Sequence, residues 1–350
     1  MKELNELIDH IKNYSGKNIK IMEVCGTHTH EIFRQGIRNI LPSSITLISG
    51  PGCPVCVTPN SFIDEAIALA LENNCTITTF GDLVRVPGSQ MSLAEARAKG
   101  AKINVVYSPL DAENYAKEHP DEQVVFLSVG FETTVPANAL SVLHAKKDGL
   151  DNYSILTSNK TMDNAYAALK DSADAFLYPG HVSVITGTAI YDRLKEEGIS
   201  GVVCGFTSHE ILSAICAIID NGETGKPFFL NCYPSVVKPE GNPAALKIIH
   251  DMMKSCDATW RGLGVIKNSG LELNDEYANF DARKKYNLRK IEGKQNPACR
   301  CGEILQGKCR PDECPCFGKN CTPDHPIGAC MVSSEGSCSA FYKYGANNSL

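Results

Sequence analysis

The sequence predicts an α/β protein with two similar parallel-sheet, Rossmann-like lobes facing a cleft, and a cysteine-rich domain closing the chain. Three observations carry this. Short β-branched runs alternate with helix-period segments over most of the 350 residues. The distinctive polar and sulfur residues fall directly after the predicted strands. Of 16 cysteines, half lie between Cys299 and Cys338, in a stretch rich in Gly and Pro.

At the start, Leu4, Leu7, Ile8 and Ile11 share one helical face among charged residues. The segment lacks the apolar centre of a signal peptide, so a cytoplasmic protein is expected. This helix, residues 1–18, is expected to pack on the C-terminal domain. Strands are predicted over 19–24, 45–48, 76–80, 103–107, 124–129, 154–157, 175–178 and 201–204. Helices are predicted between them over 61–72, 92–99, 137–147, 162–170, 188–197 and 210–220. Ser92 with Glu95 reads as a capping box, and Gly100 as the stop that follows. A boundary in the loop 117–123 divides a first lobe, residues 19–120, from a second, residues 121–255. After about residue 257 the alternation fades, and residues 256–350 form the third domain, held by ligands or cross-links rather than a core.

A net charge of −6 and a pI near 5.9 argue against a nucleic-acid surface or a polybasic membrane patch. No run of 18 apolar residues is present, so no membrane span is expected. No G-x-G-x-x-G, P-loop or G-x-S-x-G motif occurs; Gly222-Glu-Thr-Gly225-Lys226-Pro227 has neither the spacing nor the Ser/Thr of a P-loop. Any nucleotide-consuming step is therefore assigned to a partner, with no nucleotide site on this chain.

In parallel sheets ligands bind beyond the carboxyl ends of the strands. Those positions here read Cys25-Gly-Thr-His28-Thr-His30, Gly50-Pro-Gly-Cys53-Pro-Val-Cys56, Gly81-Asp82, Gly130-Phe-Glu132, Pro179-Gly-His181 and Gly205-Phe-Thr-Ser-His209. Cys25, His28, Cys53 and Cys56 are soft-to-borderline donors suited to Zn(II), Fe(II) or Cu(I). Three readings stand side by side: a structural zinc site, a thioredoxin-like dithiol, and functional iron or thiol chemistry. His28 is a ligand or the group that orients a cysteine loop. His30 is expected to point away from it in an extended segment. Cys75, Cys204, Cys216, Cys232 and Cys256 sit in apolar surroundings and read as packing.

The tail runs Cys299-x-Cys301-x7-Cys309-x4-Cys314-x-Cys316-x4-Cys321-x8-Cys330-x7-Cys338. This is neither the bacterial nor the plant-type ferredoxin spacing. Four thiolates for a [4Fe–4S] cluster plus a spare redox pair is the favoured reading, with structural zinc as the alternative.

The motifs Glu23-Val-Cys25-Gly-Thr-His28-Thr-His30, Gly50-Pro-Gly-Cys53-Pro-Val-Cys56-Val-Thr-Pro, Gly81-Asp82-Leu-Val-Arg85-Val-Pro-Gly, Gly130-Phe-Glu132-Thr-Thr, Pro179-Gly-His181-Val-Ser and Cys330-Met-Val-Ser-Ser-Glu-Gly-Ser-Cys338 occur in order along the chain. The sequence thereby resembles the HypD family of [NiFe]-hydrogenase maturation factors over nearly its whole length. The resemblance implies a scaffold for assembling Fe(CN)2CO, the iron half of the hydrogenase active site. The small chaperone HypC would be its partner, and HypE, charged by HypF, its cyanide donor. It implies two similar α/β lobes and a third domain carrying a [4Fe–4S] cluster. By motif, Cys25, Cys53 and Cys56 would hold iron or handle cyanide, with His28 assisting. Asp82, Glu132 and His181 would line the cleft as hydrogen-bonding or proton-handling groups. The third domain of the family is similar to ferredoxin–thioredoxin reductase. That pattern gives Cys299, Cys314, Cys321 and Cys338 to the cluster and makes Cys301 and Cys330 the redox pair. Cys309 and Cys316 are extra to it, and either is able to replace a neighbour. The alternative outside the scaffold reading is an Fe–S-dependent thiol–disulfide oxidoreductase working through Cys53 and Cys56.

Overall fold

The computed structural model describes residues 3–345; Met1, Lys2 and residues 346–350 lie outside it. Its described residues form eleven strands in two sheets. The strands are β1 Ile19–Glu23, β2 Ile45–Ser49, β3 Thr76–Thr79, β4 Ile103–Val105, β5 Val124–Gly130, β6 Tyr153–Lys160, β7 Ala175–Pro179, β8 Gly201–Cys204, β9 Phe229–Asn231, β10 Met253–Trp260 and β11 Gly264–Leu273. The first sheet has the order β2-β1-β7-β8-β9 and is parallel throughout. The second has the order β10-β11-β6-β5-β3-β4, parallel except for the β10–β11 hairpin and its pairing to β6.

All eight expected strands are present, within a few residues of their expected limits. Their division between the sheets differs from the expected lobes of residues 19–120 and 121–255. β1, flanked by β2 on one side, pairs on the other with β7 and not with β3, so the first sheet combines the start of the chain with residues 175–231. The expected boundary at residue 120 falls between β4 and β5, which belong to one sheet. The third domain expected from residue 256 begins inside β10, which with β11 extends the second sheet. Periodicity reports that a segment is a strand, whereas its partner depends on contacts far away in sequence.

Burial follows the strand period. In β5, Val124 and Phe126 face one apolar cluster with Ala139, Tyr153 and Met252, while Val125 and Leu127 face another with Phe62, Ile63 and Ala66. Both faces of this sheet are thus covered by helices, as its parallel strands require. The long helix Ser208–Gly222 opens on a capping box of Thr207 and Glu210. Its Ile211, Ile215 and Ile218 pack against Ile21, Leu177 and Val202 of the first sheet. The N-terminal helix Leu4–Lys12 places Leu7 and Ile11 in that same cluster. It therefore packs on the first sheet's helix, not on the C-terminal domain, because its apolar face completes a layer already begun by Ile211 and Ile215. The predicted capping box of Ser92 and Glu95 is present, heading the helix Leu93–Ala98.

Candidate sulfur and imidazole site

The functional loops all leave the carboxyl ends of strands. Cys25 follows β1 and caps the helix Gly26–Arg34 in an extended conformation, φ −143° and ψ 128°. This segment is helical, not extended as expected. Its two imidazoles still diverge, being two residues apart on a helix. His28 is fully buried, while His30 hydrogen-bonds the Ser334 carbonyl at 3.2 Å and meets the Tyr344 ring edge-on.

Burial pushes the Cys25 thiol up to about 11; the backbone N–H groups of His28 and Thr27 at the helix start oppose the shift, and the Glu335 charge adds to it. Against Cys25 lies Gly52, whose carbonyl accepts the Gly26 N–H at 3.0 Å. A Cβ on Gly52 would run into the backbone N and Cα of Cys25. Only glycine lets the two loops approach this closely.

Cys53 caps the short helix Pro54–Val57, accepting the Cys56 N–H on its sulfur at 3.2 Å, and Pro54 presets the first helical φ. Cys53 and Cys56 form a disulfide, with Cα atoms 5.2 Å apart. The Cys56 sulfur lies 4.0 Å from the carbonyl of Ala329, the neighbour of Cys330. The disulfide therefore rests against the C-terminal segment.

His28 Nε2 lies 2.9 Å from the Gly205 carbonyl and 3.5 Å from the Cys204 sulfur. A carbonyl only accepts, so Nε2 carries the proton and Nδ1 is left as a bare lone pair, buried and without a partner. Burial holds this imidazole down to about 4. Phe206 stacks on His181 at 4.0 Å and leans on His28 at 4.7 Å, joining the two histidines through one ring. Burial lowers His181 as well.

The second sheet contributes carboxylates. Asp82, in the turn after β3, acts on Glu335, a tail residue that accepts the Thr27 hydroxyl at 2.9 Å beside Cys25. Burial, then the Asp82 charge, raises Glu335. Glu132 follows β5; its Oε1 accepts the Met162 N–H at 2.8 Å, while Oε2 is buried with no partner. Burial lifts this carboxyl to about 7. Next to it Tyr166, Tyr178 and Tyr191 form a ring cluster, and both Glu132 and Cys25 act electrostatically on Tyr166 and Tyr191. Cys25, Cys53, Cys56, His28, His181, Asp82 and Glu132 are thus linked through shared neighbours.

In the tail, Cys299, Cys301, Cys314, Cys316, Cys321, Cys330 and Cys338 line one small cavity. The sulfurs of Cys301 and Cys330, the expected redox pair, are 2.7 Å apart. The Cys338 thiol is raised by burial and then by the charges of Cys301, Cys321, Cys299 and Cys314, so the four expected ligands surround a common space. Burial also raises Cys321. Thiols gathered this way resist ionisation unless a metal replaces the proton, and this donor set fits an iron–sulfur cluster. Cys316 lines the same cavity, whereas Cys309 faces the cleft beside β2. No group of three or more His, Cys, Asp or Glu among the described residues is placed to hold a single metal ion, and Cys53 and Cys56 are paired as a disulfide.

Sequence reasoning missed Glu335, the three tyrosines and Cys204. Only Cys204 carried a signal, as the last residue of a strand whose following loop reaches the site. A cleft of about 1270 Å3 runs between β2 and the tail along Arg38, Leu47, Lys308 and Phe317. It contains neither Cys25 nor His28.

The chain thus combines an α/β scaffold bearing sulfur and imidazole on one sheet edge, carboxylates on the other, and a thiol-lined tail. A family model described as "HypD: Hydrogenase formation hypA family" matches residues 2–345. The chain belongs to the HypD family. It is 42% identical over 347 residues to a putative hydrogenase expression/formation protein of Methanocaldococcus jannaschii, covering 97% of each. It is 40% identical over 355 residues to hydrogenase maturation factor HypD of Rhodobacter capsulatus, covering 99% of this chain and 94% of the relative. To HypD of Escherichia coli K12 it is 39% identical over 350 residues, covering 98% and 94%.

Proposed function

We propose that this chain is the scaffold and redox protein on which the Fe(CN)2CO unit of [NiFe]-hydrogenase is assembled. The observation that carries the proposal is the packing of the Cys25 loop on the Cys53–Cys56 loop, whose disulfide rests against the segment bearing Cys330. Three sulfurs suit soft, electron-rich binding of low-spin Fe(II), and open positions remain for cyanide and carbon monoxide.

As a disulfide, Cys53 and Cys56 are closed to metal. A Cys301 or Cys330 thiolate attacks one of their sulfurs, forming a mixed disulfide and releasing the other sulfur as thiolate. The remaining thiol of the Cys301/Cys330 pair then displaces the second sulfur. Two electrons pass, the tail pair becomes the disulfide, and Cys53 and Cys56 become a dithiol. A [4Fe–4S] cluster held by Cys299, Cys314, Cys321 and Cys338 supplies single electrons when bound. Fe(II) then arrives as cargo and displaces the Cys25 proton. The buried Nδ1 lone pair of His28 and the carboxyl of Glu132, which burial pushes up to about 7, accept and return protons, while Asp82 and His181 line the approach. The chain works in the cytoplasm with a HypC-type chaperone, and HypE delivers cyanide. It uses no nucleotide, nucleic acid or membrane. Among the described residues no helix is long and apolar enough to cross a membrane.

The disulfide itself favours a second reading, a thiol–disulfide oxidoreductase working through Cys53 and Cys56. Cys25 separates the two, because exchange needs two sulfurs and an iron scaffold needs the third. Infrared spectra of chain co-purified anaerobically with its small chaperone are expected to show metal-bound cyanide and carbonyl bands that vanish in Cys25→Ala. Absence of bands with all maturation partners present would select the oxidoreductase. Changing Cys301 and Cys330 to Ser is expected to leave Cys53–Cys56 oxidised and to stop cofactor assembly; full assembly in that variant refutes the relay.

A further inference from the structure

The tip of the β10–β11 hairpin touches both the segment that follows Cys56 and the helix that begins at Cys301. On the side of Cys53 and Cys56, Arg261 is bound three times. Its N–H donates to the Val57 carbonyl at 2.8 Å, its Nε to the Thr58 carbonyl at 2.9 Å, and its Nη1 to Asn60 Oδ1. Toward Cys301, Gly262 meets Gly302 backbone to backbone, so closely that a Cβ on either residue would collide with the other's Cα. Gln306, from the turn that follows the Cys301 helix, donates to the Gly262 carbonyl at 2.6 Å and to the Gly302 carbonyl at 3.2 Å.

Arg261 is itself 4% exposed, and its Nη2 is buried without a partner. The guanidinium charge acts on Cys299, Cys301 and Cys330, and on Lys160. A buried N–H donor left unpaired costs about 1–3 kcal/mol, so its retention calls for a partner that forms in use. Sulfur in exchange is such a partner, since each displacement leaves a thiolate behind.

We infer that Arg261 is a positioning residue for sulfur exchange: it locks the Cys53–Cys56 loop to the Cys301 helix through the hairpin tip and turns its free Nη2–H toward the departing sulfur. The inference rests on the relay proposed above. No new reactant enters, because the dithiol of Cys301 and Cys330 is the reductant and the Cys53–Cys56 disulfide the oxidant.

The test uses the full, cluster-loaded chain, reduced and then given oxidant for one disulfide per molecule. Acid quenching, alkylation and mass spectrometry follow the disulfide as it redistributes between the two pairs. Arg261→Met is expected to slow redistribution by about 100-fold, as misplacement of reacting groups does. Arg261→Lys, which keeps the charge but loses the fork, is expected to recover part of that rate. The final partition between the pairs should stay at the wild-type value in both variants, and the loss of rate should exceed what the fall in melting midpoint accounts for, whereas in a purely structural role the two would move together. If Arg261→Met does not fold, Gln306→Ala, which cuts the tip from Gly302 only, is expected to slow the same exchange. Wild-type rates in Arg261→Met, or in Gln306→Ala where it stands in, overturn the inference and leave the relay standing. Absence of redistribution in the wild type overturns both.

Discussion

The two sheets present the same kind of loop with opposite chemistry. The first offers sulfur and imidazole at its carboxyl edge, from Cys25, Cys53, Cys56, His28 and His181. The second offers carboxyl groups, from Asp82 and Glu132. Burial acts on both edges and favours the uncharged form each time, lowering His28 to about 4 and raising Glu132 to about 7 and Cys25 to about 11. At rest the sulfur edge is therefore nearly neutral, and under the proposed function an arriving cation would become the largest charge in it. In the proposed function the sulfurs all belong to the first sheet while proton handling is shared between His28 on the first and Glu132 on the second, so the two sheets are open to separate disruption.

The sharpest break pairs two glycines. Gly52→Ala drives a Cβ into the Cys25 backbone, which has nowhere to move, whereas the nearest atom to a Cβ on Gly81, after β3, is Val105 Cγ1 at 3.8 Å. The first substitution is expected to destabilise by about 3 kcal/mol and to abolish the cyanide and carbonyl bands. The second should stay within about 0.5 kcal/mol and keep them. Denaturant titration and infrared spectra together check the pair.

Next come opposite pH dependences in the metal-free chain. Glu132 is raised from 4.5 to about 7, so the folded state holds a proton that the unfolded chain has released. Its contribution is present below pH 4.5 and is lost as pH rises toward 7, by about 3 kcal/mol. His28 is lowered from 6.5 to about 4, so its contribution is present above pH 6.5 and is lost as pH falls toward 4, by a similar amount. Unfolding free energies of wild type, Glu132→Gln and His28→Gln across this range are expected to differ in these two opposite ways. A flat difference for either variant would remove that group from the comparison. The last is a control on the second sheet: Ser92→Ala removes a helix cap that holds none of the site residues, costing about 1 kcal/mol with assembly intact.

The loops were legible because each begins where a β-branched run stops, and Cys25, Cys53, Glu132 and His181 all stand there. The helix after Cys25 was not, since Thr27, His28, Thr29 and His30 are indifferent helix formers and the cysteine cap gives no side-chain signal of the Ser/Thr/Asp kind. β10 was lost for another reason. Only its ends, Met253 and Trp260, are buried; between them half-buried and exposed residues alternate, and Lys254, Ser255, Asp257 and Thr259 give that stretch no apolar period. Glu335 was out of reach, because its partner Thr27 lies 308 residues away.

The chain's double crossing between sheets has a consequence during synthesis. The first sheet opens with β1 but lacks its centre until β7 and β8 have been made, and the second stays open until β11. Cys330, against whose neighbour the Cys53–Cys56 disulfide rests, follows Cys25 by about 300 residues, or roughly 15–60 s at about 5–20 residues per second. Throughout that interval Cys25, Cys53 and Cys56 have left the ribosome without the walls that bury them, so the site takes its controlled, water-poor form only when translation is almost complete.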